Sequence, residues 1–166
     1  MWRPKARNSL ILTALVLLLA APCPALQLNG EVRWSGQVEL KEPVTVAQGA
    51  TLTIAAGTRV KVSSPAVKIS VQGVLKVLGS EQSPVLLDGA SGWEGVEFME
   101  APAGSLLRWA EFRGVKAALT SFATNFTVEH CTFEGGEFGV RLMRDSSPQI
   151  VDSTFRGMQI GVANEM

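Results

Sequence analysis

The 166-residue sequence predicts an all-β solenoid, a parallel β-helix of about six coils behind a short N-terminal leader. Three observations carry that prediction. From Leu26 onward the chain has no helical apolar period and shows brief apolar alternations cut by Gly, Pro, Ser and Asp. In its second half, segments starting at Leu106, Thr127 and Gln149 align without gaps. Within the aligned columns, apolar positions stay apolar and charges alternate in sign.

The leader comes first. Arg3, Lys5 and Arg7 form a positive n-region, Leu10 to Ala20 is almost unbroken apolar sequence, and the APCPA stretch follows. Cleavage before Leu26 places Cys23 and Ala25 at −3 and −1, as a secretory signal peptide requires. The apolar run is shorter than the about 20 residues of an ordinary membrane span, so no stable span is expected. A retained anchor and lipidation at Cys23 are the lesser alternatives; Pro22 occupies the place where lipidation needs a small residue. The reading is thus residues 1–25 as signal peptide and 26–166 as one β-helix domain, secreted or periplasmic, with 26–42 as its N-terminal cap.

Loss of Arg3, Lys5 and Arg7 leaves 12 basic against 15 acidic side chains, a net charge of −3. With the basic residues spread thinly, nothing marks a nucleic-acid surface. Cys131 becomes the only cysteine, which excludes an internal disulfide and suggests a small buried packing residue.

Along the mature chain, Val44–Val46, Leu52–Ile54, Val60–Val62, Val67–Val71 and Val74–Val77 have the alternation of short strands. Gly49, Gly57, Gly73 and Gly79 mark the breaks between them. The repeat then emerges: Leu106–Leu119, Thr127–Val140 and Gln149–Val162 superpose. Phe112, Phe133 and Phe155 share a column, and Gly114, Gly135 and Gly157 share another. Leu107, Val128 and Ile150 form a third; Leu119, Val140 and Val162 form a fourth. A strand-and-turn repeat of this length cannot bury its apolar face alone, so neighbours must stack and share a core. In a parallel β-helix, coils pair about 4.8 Å apart and equivalent side chains lie directly over one another.

The same columns place Arg113 with Glu134 and Arg156, Arg108 with Glu129, and Lys116 with Glu137. Each exposed pair contributes only about 0–1 kcal/mol. Like charges would disfavour the register, so the pattern implies control of stacking.

On these residues the chain resembles the bacterial right-handed parallel β-helix repeat proteins, which share the pectate-lyase architecture. Gly49–Val62 (GATLTIAAGTRVKV) is similar to that family's entry coil, and Val71–Leu87 to its next coil. WEGVEF, Trp93–Phe98, matches its Trp-x-Gly-aliphatic segment, and Gly139–Phe155 its repeating coil. The resemblance implies a right-handed parallel β-helix. It leaves open whether the chain is a polysaccharide-acting enzyme or a non-catalytic surface module, because fold does not choose function.

The residues bear on that choice as follows. A pectate-lyase-like calcium site needs converging carboxylates. The positions equivalent to Glu97 are Thr120, Arg141 and Ala163, so no acidic column forms and no metal or cofactor is called for. Glycoside hydrolysis needs two carboxylates flanking a groove, and Glu94, Glu97 and Glu111 are the candidates. His130 and Asp152, in the column of Trp109, are the sharpest polar pair, with the geometry of a tuned base or of a turn-bonding polar stack. Cys131 should face away from His130, as strand neighbours do. Trp34 and Trp93 are candidate sugar platforms if exposed and core or cap residues if not. Asn125-Phe126-Thr127 matches a glycosylation sequon, relevant only in a eukaryotic secretory pathway.

A solenoid end exposes core and strand edges unless covered. The last column residue, Val162, lies close to Met166, which predicts self-association or partner docking through the C-terminal end, or a shortened chain. The reading is an exported non-catalytic β-helix module, a structural, adhesive or glycan-contact surface with a polysaccharide as possible partner. The alternative is a polysaccharide lyase or glycoside hydrolase.

Overall fold

The computed structural model describes residues 25–165. The expected signal peptide, with Cys23, lies outside the described residues save Ala25. The described chain is built of strands and turns without a helix, and every ladder between strands is parallel.

Three strands and three corners make each coil. The first coil contains β1 (Leu26–Leu28), β2 (Glu31–Trp34) and β3 (Gln37–Leu40). The second contains β4 (Val44–Val46), β5 (Thr51–Ala55) and β6 (Arg59–Val62), and the third β7 (Ile69–Val71), β8 (Val74–Leu78) and β9 (Val85–Trp93). The fourth contains β10 (Val96–Met99), β11 (Leu106–Arg108) and β12 (Ala110–Val115). From there β13 (Ala117–Phe122), β14 (Thr127–Glu129), β15 (Thr132–Met143), β16 (Gln149–Val151) and β17 (Thr154–Glu165) continue the winding. The long strands β15 and β17 each run around a corner and serve two faces.

One face is the six-stranded ribbon β2-β5-β8-β11-β14-β16. A second carries β1, β4, β7, β10 and β13, and a third β3, β6, β9 and β12; they merge into one sheet at β15. The stack therefore has six coils, as the periodicity predicts. The segment expected as an N-terminal cap is itself the first coil, because β1, β2 and β3 pair in register with β4, β5 and β6.

One apolar column runs the length of the stack through Leu26, Val44, Ile69, Val96, Leu119, Val140 and Val162. Its step along the chain is shortest from Leu26 to Val44, longest from Ile69 to Val96, and nearly constant from Val96 onward. The longer coils hold their extra residues in corners, so the core columns pass through uninterrupted. Ile54, Val77, Leu107 and Val128 form one fully buried column. Phe112, Phe133 and Phe155 form another, with ring centroids 5.2 and 4.8 Å apart and planes within 13° and 9°. A second aromatic stack, Phe98 on Phe126, closes at 4.4 Å across the core.

The corners are built by three columns of left-handed backbone. Gly114, Gly135 and Gly157 have φ of 67°, 68° and 60°. Glu100, Ala123 and Arg144 share a second corner at 50°, 47° and 57°. Trp109, His130 and Asp152 share the third at 50°, 52° and 48°. Glycine enters this region freely and other residues at a cost, so the non-glycine corners are held by their neighbours.

Hydroxyls from the next coil satisfy the amides beside two of these corners. Thr124 Oγ1 accepts from Ala101 N at 2.9 Å, and Ser146 Oγ from Thr124 N at 3.3 Å. Ser153 Oγ accepts from Cys131 N at 3.2 Å. Buried turn amides would otherwise lack partners.

Phe133 has a ring above and below and no exposure, whereas Phe155 stacks on one side and is half-buried. Phe133→Ala is expected to cost about 3–5 kcal/mol, and Phe155→Ala clearly less. Urea unfolding followed by tryptophan fluorescence measures both; equal losses would contradict the graded stack.

Candidate functional site

The corner between the ribbon of β11, β14 and β16 and the face of β12 gathers Trp109, His130 and Asp152 in one column. Their backbone explains the column: the amides of Trp109 and His130 donate to the carbonyls of Glu129 and Val151, one coil further on. The Trp109 and His130 rings stack at 4.6 Å with planes 14° apart. His130 Nδ1 and Asp152 Oδ2 lie 4.0 Å apart, beyond hydrogen-bond reach, and the Asp152 side chain is 68% exposed. The cluster thus stacks an imidazole on an indole and sets a carboxylate nearby at ion-pair distance. That arrangement favours turn formation over a base oriented by its carboxylate.

The expectation that this column bonds the turn backbone through its side chains needs one correction. The hydroxyl acceptors are Ser153, Ser146 and Thr124, each placed shortly after a left-handed corner residue. His130 and Asp152 contribute backbone shape instead.

Cys131 faces inward, as strand alternation requires, with its Sγ 3.3 Å from the Glu129 carbonyl and 3.5 Å from that of Leu107. Burial pushes its thiol from the usual value near 9 up to about 11. No Cys–His dyad forms.

The acidic candidates are separated by the fold. Glu97 lies on the face of β10 and pairs with Lys68 Nζ at 2.7 Å. Glu111 lies on the face of β12 and accepts from Arg113 at 3.0 Å. Glu94, at the corner before β10, pairs with Lys116 at 3.2 Å. The sequence columns set Lys116 against Glu137; its side chain instead turns to the preceding coil. Glu97 is flanked by Ser70 and Thr120, with Arg141 beyond, as the projected column requires. Among the described residues no three His, Cys, Asp or Glu side chains converge as a metal site.

The tryptophan candidates are corrected by their burial. Trp93 is fully buried: its indole lies flat against Gly89, where any Cβ would collide, and Nε1 donates to the Arg113 carbonyl at 3.1 Å. It pins the corner left by the bulge of β9 and offers no sugar platform. Trp34 is half-buried and continues the Ile54 column inward at the end of the stack, so it packs as an end residue and not as a lateral platform.

A charge column along face three extends beyond the part that the sequence repeat reveals. The register aligns Glu39, Lys61, Asp88, Arg113, Glu134 and Arg156, alternating acid and base over all six coils. Arg113 and Glu134 close to 3.3 Å. The first three rungs, with Gln37, Arg59 and the apolar Val38, Val60 and Leu86, line an open groove over β3, β6 and β9. Pairs also span coils elsewhere: Arg108 with Glu129 at 2.8 Å, and Arg144 reaching over the Ala123 coil to Glu100 at 3.2 Å. Arg141 grips Glu165 through two hydrogen bonds, which hold that carboxyl below its ordinary range.

No protein-family model, curated protein or solved structure matches the chain. No helix among the described residues is long and apolar enough to cross a membrane.

Two outcomes follow. His130→Val is expected to lose about 1–3 kcal/mol, since a β-branched side chain suits neither the left-handed corner nor the indole stack. Asp152→Asn should be near neutral, because asparagine tolerates that backbone; thermal unfolding compares them. For Cys131, the folded thiol holds its proton to higher pH than the unfolded one. Its contribution is therefore complete below about pH 9 and fades as pH rises through about 11. Wild type should lose stability relative to Cys131→Ala across that window in parallel denaturant titrations.

Proposed function

We propose that the chain is an exported, non-catalytic β-helix module whose lateral faces serve as a structural, adhesive or glycan-contact surface. The observation that carries this reading is the use made of the candidate carboxylates. Glu94, Glu97 and Glu111 are each engaged by a basic side chain, and Glu97 and Glu111 stand on different faces. A hydrolase needs two carboxylates flanking one bond, and a lyase of the resembled architecture needs an acidic cluster for its cation. The separation of Glu97 and Glu111 onto different faces, and the lack of three converging His, Cys, Asp or Glu side chains among the described residues, support the non-catalytic reading. The leader sequence supports export, and the resemblance to right-handed β-helix proteins supports a surface role.

Within this reading, the open groove lined by Gln37, Glu39, Arg59, Lys61 and Asp88 is the place for glycan contact, since Glu39, Lys61 and Asp88 set acceptor and donor alternately at the spacing of the coils. The aromatic candidates do not contribute, because Trp93 is buried and Trp34 points into the stack.

The test incubates the purified chain with a panel of acidic and neutral polysaccharides and follows unsaturated and reducing-end products. No turnover is expected, and any glycan-dependent rise in melting temperature should be reduced by Arg59→Gln with Lys61→Gln. Product formation that disappears in Glu97→Gln or Glu111→Gln would replace this reading with the lyase or hydrolase one.

A further inference from the structure

The second face carries an outward apolar file. Phe98 on β10, Ser121 on β13 and Leu142 on β15 point inward, and the register sets them over one another. Strand alternation turns their chain neighbours Met99, Phe122 and Met143 outward, again one over the next. Met99 is 38% exposed, and Phe122 and Met143 are half-buried. None of the three is among the side chains that form the core or pack against it.

Two further files flank this one. On one side the register aligns Glu97, Thr120 and Arg141. On the other, the left-handed corner aligns Glu100, Ala123 and Arg144. Each flanking file thus runs acid, neutral, base from the fourth coil to the sixth, while the apolar file runs Met, Phe, Met. A half-turn about an axis lying on the face along β13 reverses the order of the coils and keeps the columns. It lays Glu97 on Arg141, Glu100 on Arg144 and Met99 on Met143 of a second copy. Thr120, Phe122 and Ala123 each meet their own counterpart. Further out, Ser70 would meet Ala163, which raises no conflict.

We infer that this face is a self-association surface, through which two copies dock by Met99, Phe122 and Met143 about a two-fold axis on β13. The interface is isologous and closes on itself, so assembly stops at a dimer. The apolar file forms the centre that loses water, and the charged files form the rim. Flexible methionines on either side of one ring can adapt to the opposing pair. Charge also selects the orientation. A two-fold axis along the stack would set Glu97 on Glu100 and Arg141 on Arg144, whereas the axis along β13 sets every acid on a base. Within each copy Lys68 still holds Glu97, Glu165 holds Arg141, and Arg144 reaches Glu100. Each rim charge therefore gains a second opposite neighbour. A patch of three rungs is at the small end of protein interfaces, so the dimer is reversible and depends on concentration. This surface goes beyond the scaffold reading and leaves the groove on face three uncovered.

The experiment uses the full chain expressed for export, with the amino terminus mapped by mass spectrometry. Sedimentation equilibrium over a wide concentration range is expected to show monomer and dimer, with the mass levelling at the dimer. Phe122→Lys sets two like charges together on the axis and should leave monomer alone. Where it lowers the circular-dichroism signal of folded chain, Met99→Lys takes its place. Glu100→Arg and Arg144→Glu should each weaken dimerisation by about tenfold, because symmetry turns two attractions into two repulsions. An equal mixture of these two variants should recover wild-type dimerisation, since every arginine then meets a glutamate across the interface. Both variants lack the Glu100–Arg144 pair within the chain, so recovery can come only from contact between copies.

A monomer at every concentration would overturn the inference. So would growth past a dimer, dimerisation that survives the lysine substitution, or a mixture no better associated than its components.

Discussion

Parallel pairing of each coil on the next is the constraint from which the rest of the structure follows. It fixes the axial rise at the strand spacing of about 4.8 Å, and it sets each side chain over its equivalent in the neighbouring coil. A column must then suit itself. Apolar columns pack because Leu, Val and Ile lie on their own kind, and Phe112, Phe133 and Phe155 stack with nearly parallel rings. The corners obey the same rule: from the fourth coil onward left-handed φ recurs in three columns, with glycine in one and Glu100, Trp109 and His130 among the others. Strain of about 1–3 kcal/mol at a non-glycine corner is tolerated because the strands on either side dictate the turn.

That constraint explains which parts of the molecule were legible in the sequence. From β11 onward the coils are almost equal in length, so the aromatic, glycine and aliphatic columns align by inspection. In the earlier coils the step changes each time, from the short turn between Leu26 and Val44 to the long one between Ile69 and Val96. Insertions in the corners there hide a register that the backbone nevertheless keeps. The first three rungs of the charge column, Glu39, Lys61 and Asp88, were invisible for that reason. Trp93 was ambiguous because its burial depends on the β9 bulge and on the space above Gly89, neither of which alternation encodes. His130 and Cys131 were separable in advance, since strand alternation alone sends one outward and one inward. The turn hydroxyls were missed because Ser146, Ser153 and Thr124 carry no signal until the corner residue before each is known to be left-handed.

The charge column works by exclusion more than by attraction. One exposed ion pair adds little, and only some rungs close to contact distance. A slip of one residue along a strand, however, would turn every inward side chain of that strand outward. A slip of one whole coil would set acid on acid and base on base throughout face three. Hydrophobic columns of Val, Leu and Ile discriminate poorly against that second error, because their members are nearly interchangeable. Alternating charge supplies the missing discrimination at modest cost.

The same geometry limits where chemistry can arise. On a face, neighbouring side chains stand in straight files, so converging groups must come from one column across coils or from a corner. Here two of the files hold opposite charges that satisfy one another, as Arg113 does with Glu134 and Arg108 with Glu129. The corner that gathers Trp109, His130 and Asp152 uses its residues to turn the chain, with the imidazole lying on an indole and 4.0 Å from the carboxylate. Groups already committed to register and turning are poorly placed to hold a substrate between them.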